Sequence, residues 1–184
     1  ARFGGRLSSV VDVRSNDGDM KKYHGTISIG LLSSKIQLEG PIIRDKTSFN
    51  ISARRSYIDL IAKPFMPKDD KISYYFYDIN AKINHKFSDR SRLFLNFYNG
   101  KDSYYFKTTD SSSSMYKDKM SLNWGNTIAT ARWNYIFNQK LFSNTTVAYN
   151  KYRMDANSTV YTKTSLLESI SESNYHSNYH SGIC

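Results

Sequence analysis

Between Tyr77 and Phe87 the side chains alternate. One parity carries Tyr77, Ile79, Ala81, Ile83, His85 and Phe87; the other carries Asp78, Asn80, Lys82, Asn84 and Lys86. A period of two belongs to a β-strand with one apolar and one polar face. Ser88-Asp89-Arg90-Ser91 supplies tight-turn chemistry, and the chain returns with Leu93, Leu95 and Phe97 on one face and Arg92 and Asn96 on the other. Phe94 and Tyr98 interrupt that polar face.

The same pattern recurs on both sides. Ala129, Ala131, Trp133, Tyr135 and Phe137 oppose Thr130, Arg132 and Asn134; after Asn138-Gln139-Lys140, Val147 and Tyr149 oppose Asn144, Thr146 and Asn150. Upstream, Gly25, Ile27, Ile29 and Leu31 oppose His24, Thr26 and Ser28. Ile36, Leu38 and Gly40 oppose Lys35, Gln37 and Glu39, and Phe49, Ile51 and Ala53 oppose Ser48, Asn50 and Ser52. The pattern predicts seven strands and the start of an eighth at 173–183. Tight turns fall near 43–47, 88–91 and 138–140, and long polar links near 58–72, 107–120 and 153–172. Short and long connections alternate, with Leu32-Ser33-Ser34 as an exception. Outer-membrane barrels show this alternation, with short turns on one side and long loops on the other.

Composition sharpens the choice between a barrel and a water-soluble sandwich. Apolar residues make up 39%, yet there are 15 Tyr, 10 Phe and 2 Trp, so much of the apolar surface is amphipathic and suited to a wet–dry boundary. The aromatics gather near predicted strand ends, at Tyr74 to Tyr77 and at Phe137 and Phe142. Several strands run to about 11 residues or more, against roughly 5–6 in ordinary sheets, and a tilted strand needs roughly 9–11 to cross a bilayer. No apolar run reaches the length of a membrane helix. The single cysteine, Cys184, has no partner for an internal disulfide.

The opening eighteen residues read ARFGGRLSSVVDVRSNDG. Gly4-Gly5 marks a turn or a close backbone approach, Leu7 to Arg14 a short strand, and Asn16-Asp17-Gly18 its end. This stretch resembles the end of the plug domain of TonB-dependent outer-membrane receptors. Three later stretches resemble the first barrel strands of that family in the same order: Tyr23 to Gly30, then Leu38-Glu39-Gly40-Pro41-Ile42, then Ser52-Ala53-Arg54-Arg55-Ser56-Tyr57. The likeness is detailed over about the first 60 residues and architectural beyond them.

The resemblance implies an all-β fold: about seven to eight strands of an antiparallel transmembrane β-barrel of the 22-stranded, plugged type, preceded by the end of a plug. Residues 1–20 would end the plug and 21–184 would begin the barrel. The implied activity is energy-coupled uptake of a nutrient (a siderophore, vitamin, glycan or peptide) across the cell outer membrane, with no enzymatic step and no cofactor. The implied partners are outer-membrane lipid and lipopolysaccharide, the remaining strands and plug of the same receptor, a TonB-type energy-coupling protein and a surface lipoprotein. About a third of a barrel leaves open edges, so complementary segments are expected. Arg2, Gly4, Gly5, Arg6, Arg54 and Arg55 are the expected plug–barrel contacts. Arg54 and Arg55 have opposite parity, so one is expected to face the lumen and the other lipid or an interface near the membrane surface.

Other chemistry is sparse. His176 and His180 share one strand face, with Glu172 the nearest acid, and read as lumen or loop histidines rather than a metal site. No phosphate loop, nucleophile elbow or zinc spacing occurs. The formal charge of +10, with interleaved Tyr and Phe, leaves one alternative, a soluble basic β-protein binding single-stranded nucleic acid. Stacking platforms would sit on the polar parity beside Lys and Arg, whereas Trp133, Tyr135 and Phe137 lie on the apolar parity. The barrel reading therefore carries no nucleic-acid partner.

Overall fold

The computed structural model describes residues 15–65, 71–110, 115–164 and 167–181. They form one antiparallel sheet in which every strand pairs with its neighbours in sequence. The strands are β1 (His24–Ile29), β2 (Ser33–Ile43), β3 (Thr47–Ser56), β4 (Lys71–Ser88), β5 (Ser91–Asp110), β6 (Met115–Ile136), β7 (Phe142–Thr164) and β8 (Leu167–Ser181). A short helix, α1 (Ile58–Ala62), and one turn of 3-10 helix follow β3. Among the described residues β1 and β8 each pair on one side only, so the sheet is open and not a closed barrel. No described helix is long and apolar enough to cross a membrane, which says nothing about strands.

Alternation fixes the register. Ile36, Ala53, Ile79, Asn99, Thr127 and Lys151 form one cross-strand row; Leu38, Ile51, Ala81, Phe97, Ala129 and Tyr149 form the next. Directly opposed residues share a face, so a slip of one residue would exchange the two faces throughout. The pairing shifts only next to the turns, between Pro41 and Ile43 and between Lys86 and Ser88.

The tight turns lie at Arg44–Lys46, Asp89–Arg90 and between Ile136 and Phe142. In the last of these the Asn138 side-chain oxygen accepts from the backbone N–H groups of Lys140 and Leu141, both at 2.9 Å. This is the side-chain capping that favours Asn in turns.

Over their described residues, two of the three long links are strand instead. β5 continues to Asp110 and β6 begins at Met115; β7 continues to Thr164 and β8 begins at Leu167, before the expected 173. The segments 107–120 and 153–172 are rich in Lys, Asp, Ser and Thr, and the short alternation of Met154, Ala156 and Val160 with Arg153, Asp155, Asn157 and Thr159 is diluted among them. Their Thr, Tyr and Val residues still favour extended backbone, and their described residues pair in the ladder with at least one neighbouring strand. The link expected at 58–72 leaves the sheet over 58–65, where it contains α1, and Lys71 and Ile72 already belong to β4. It is tied back to the β1–β2 connection, because the Tyr57 backbone N–H donates to the Leu32 carbonyl at 3.1 Å and the Tyr57 hydroxyl to that of Gly30.

Candidate functional site

The two faces of the sheet invert the usual order of a protein in water. Residues 15–20 lie against one face, termed inner. Its side chains include Ser48 at 0% exposure, Asn84 at 2% and Lys82 at 5%. On the outer face Leu38, Ile51, Ile83, Leu95, Phe97 and Val147 are 39–52% exposed. Among the described residues the buried set is almost entirely polar, and Phe94 is its one large apolar member. A water-soluble core has the opposite distribution.

The inner face holds the N-terminal segment through named polar contacts. Lys82, on β4, sends its ammonium to Asp17 Oδ1 at 2.5 Å and to the Ser15 carbonyl at 2.7 Å. The Ser48 hydroxyl donates to the Asp17 carbonyl at 2.8 Å. Glu39 Oε2 accepts from the amides of Asn16 at 3.0 Å and Asn50 at 2.9 Å, joining the segment to β2 and β3. The Asp45 backbone N–H donates to the Met20 carbonyl at 3.1 Å. Gly18 has φ +81°, and an added Cβ would collide with the Phe49 carbonyl, so both conformation and space demand glycine. Asp19 folds back on the chain, accepting from the backbone N–H groups of Lys21 at 2.6 Å and Lys22 at 3.2 Å. It also pairs with His24 Nε2 at 3.0 Å. The Lys21 N–H first, then the His24 contact, holds the Asp19 carboxyl below its usual range.

Next to the segment the inner face is largely polar but incompletely satisfied, whereas toward the far ends of β4 to β7 the same parity carries Phe76, Leu122, Trp124 and Met154. Phe94 sits between two cations, with Arg132 Cζ 4.9 Å and Lys82 Nζ 5.7 Å from its ring centroid. Buried polar atoms without a hydrogen-bond partner include Asn84 Oδ1, Asn126 Oδ1, Arg132 Nε and Asn150 Oδ1, all on inner-face positions. Buried polar atoms are normally paired with protein or water. Around these atoms the surface therefore suits water or a further polar element.

Arg54 and Arg55 fall on opposite faces. Arg54 points inward, with Nε and Nη2 each 2.7 Å from Asp78 Oδ2 on β4 and its guanidinium 4.9 Å from the Phe76 ring centroid. Arg55 points outward, 5.6 Å from the ring centroid of Tyr75. Neither is bonded to residues 15–20; Arg54 is instead held by the sheet. Arg2, Gly4, Gly5 and Arg6 lie outside the described residues. His176 pairs with Asp155 on the outer face, and no group of three potential metal ligands occurs among the described residues.

Sequence reasoning misses Lys82 and Asp17 as the chief contact. Lys82 is one of five polar residues on its parity, and Asp17 stands in a turn-like Asn-Asp-Gly. Nothing local links two residues so far apart in the chain.

Compared with protein-family models, with curated proteins and with solved structures, the chain matches none of them.

Proposed function

We propose that this chain is part of the wall of an outer-membrane β-barrel, with its outer face on lipid and its inner face on a polar interior. The inversion of polarity between the two faces carries the reading. Half-exposed Leu, Ile, Phe and Val on long paired strands are costly in water and favourable against acyl chains. From Phe87 to Tyr77, β4 rises roughly 34 Å, or about 26 Å at a barrel-like tilt, close to the ~25 Å apolar band of such proteins. Trp133, Tyr135 and Phe137 form an edge-to-face aromatic series at the tight-turn end, with centroids 5.8 and 4.7 Å apart. That is where an interfacial girdle would lie.

The resemblance of the first 60 residues to TonB-dependent receptors extends this to energy-coupled uptake of a nutrient. In that reading residues 15–20 are the exit of a plug seated on the inner wall by Lys82. The unpartnered polar atoms on the inner face meet the plug or lumen water. The open edges of β1 and β8 pair with further strands, since an unpaired edge is not tolerated in hydrocarbon.

Fractionation of cells that express the full chain tests the reading. Recovery in the outer-membrane fraction, resistant to alkaline carbonate, is expected. Recovery as a monomer in the soluble fraction would sink it and return attention to the basic nucleic-acid-binding alternative.

A further inference from the structure

Just above the apolar band, the outer face changes character over β5, β6 and β7. Lys101 on β5, Gly125 on β6 and Arg153 on β7 are directly opposed in one row, and Lys151 lies in the row below, beside Thr127. They line a single depression. Gly125 has no side chain, and a Cβ there would stand 2.7 Å from the Gly100 carbonyl, so the β5 backbone closes the floor. Two cations therefore rise on either side of a gap roughly 10 Å across, two strand spacings. Arg153 is held by Asp155, Nε to Oδ2 at 3.0 Å, and Asp155 also contacts His176. Three cations thus face one carboxylate. Among the described residues no ion pair engages Lys101 or Lys151.

Below the depression β6 presents Thr127, Ala129 and Ala131 outward, between Phe97 and Leu95 on β5 and Tyr149 and Val147 on β7. Small side chains between two larger rows make a furrow leading from the cations toward Trp133. From Gly125 to Ala131 it runs roughly 20 Å along the strand, enough for an acyl chain of one leaflet, about half of a ~30 Å hydrocarbon core.

We propose that this outer surface of β6 seats one anionic lipid. Its phosphate lies between Lys101, Lys151 and Arg153, and an acyl chain lies in the furrow over Ala129 and Ala131. The charge complementarity is local, because the cations stand within two to four residues of the apolar rows Phe97 and Tyr149. A soluble phosphate would use the cations alone; a lipid uses both parts. The inference rests on the membrane reading above.

The test places the full chain, in membranes from cells that express it, into phosphatidylcholine with and without phosphatidic acid. Lipid retained after mild detergent extraction is measured by native mass spectrometry. Wild type is expected to retain phosphatidic acid preferentially. Each cation near such a headgroup is worth about fivefold, so Lys101→Gln with Lys151→Gln should reduce that preference roughly 25-fold. Ala131→Leu, which fills the furrow and leaves the charges, should reduce retention of the lipid but not of inorganic phosphate. In a Trp124→Phe background, quenching of Trp133 by brominated phosphatidylcholine reports membrane contact separately. Quenching without headgroup preference overturns the lipid seat and leaves the barrel reading standing. Equal competition by inorganic phosphate, with no effect of Ala131→Leu, also overturns the seat, making it an anion site. Absence of quenching overturns both.

Discussion

The lower and upper halves of β6 share one backbone ladder and differ in almost everything else. From Thr127 to Ile136 its side chains alternate between an outward row containing Ala129, Ala131 and Trp133 and an inward row containing Thr130, Arg132 and Asn134. From Lys117 to Asn126 the outward row is polar and the inward row turns to Met120, Leu122 and Trp124, yet pairing with β5 and β7 continues without a break. Backbone hydrogen bonds are thus indifferent to the medium outside the sheet, and only the side chains record it. The outward apolar row marks one stretch of the strand, not where the strand begins and ends.

A charge on the outer face breaks the comparison most sharply. Ala131→Arg should destabilise the lower half in a bilayer by about 2–4 kcal/mol, whereas Ser121→Arg on the same face of the upper half should cost about 0–1 kcal/mol. Urea unfolding from vesicles measures both; equal costs would erase the distinction between the halves. On the inner side of the lower half, Lys82→Met removes the cation shared by Asp17 and the Ser15 carbonyl. The loss should be about 1.5–3 kcal/mol, toward the lower end because Asp17 is 44% exposed, and proteolysis near residue 15 should accelerate. Gly18→Ala should act on the same segment by about 1–2 kcal/mol, through its positive φ and the collision with Phe49.

The smallest effect is on pH. The Asp19 carboxyl is held below its usual range by the Lys21 backbone N–H and His24. A depressed carboxyl stabilises the fold above its unfolded pKa, and the contribution fades as pH falls through the folded value. The Asp19 contacts should therefore be intact at neutral pH and loosen as pH falls below the ordinary carboxylate range. NMR titration of Asp19 checks this, and Asp19→Asn should remove the dependence.

These halves also explain what is legible in the sequence. Strands β1 to β4 and the lower parts of β5 to β7 stand out because Ile79, Ile83, Leu95 and Val147 alternate with polar residues. The tight turns stand out because Asp89, Asn138 and their neighbours are turn formers. The upper parts of β5 to β7 and the start of β8 look like loops in the sequence. Residues such as Lys117, Asp118, Thr159 and Glu172 put polar groups on both parities and blur the period. The opposite orientations of Arg54 and Arg55 follow from parity alone. The Asp17–Lys82 contact is not legible, since it depends on how a turn settles on a distant strand. The outer furrow is not legible either, because it emerges only when Gly125, Ala129 and Ala131 are set between β5 and β7.

The proposed function turns on whether the outer face of the lower sheet meets lipid. With Cys184→Ser as background, a bimane probe placed in turn at Ile128→Cys, Ala129→Cys, Thr130→Cys and Ala131→Cys, with spin-labelled lipid in the membrane, tests that directly. Strong quenching at 129 and 131 and weak quenching at 128 and 130 is the expected result. Uniform quenching, or quenching stronger at 128 and 130, would contradict it.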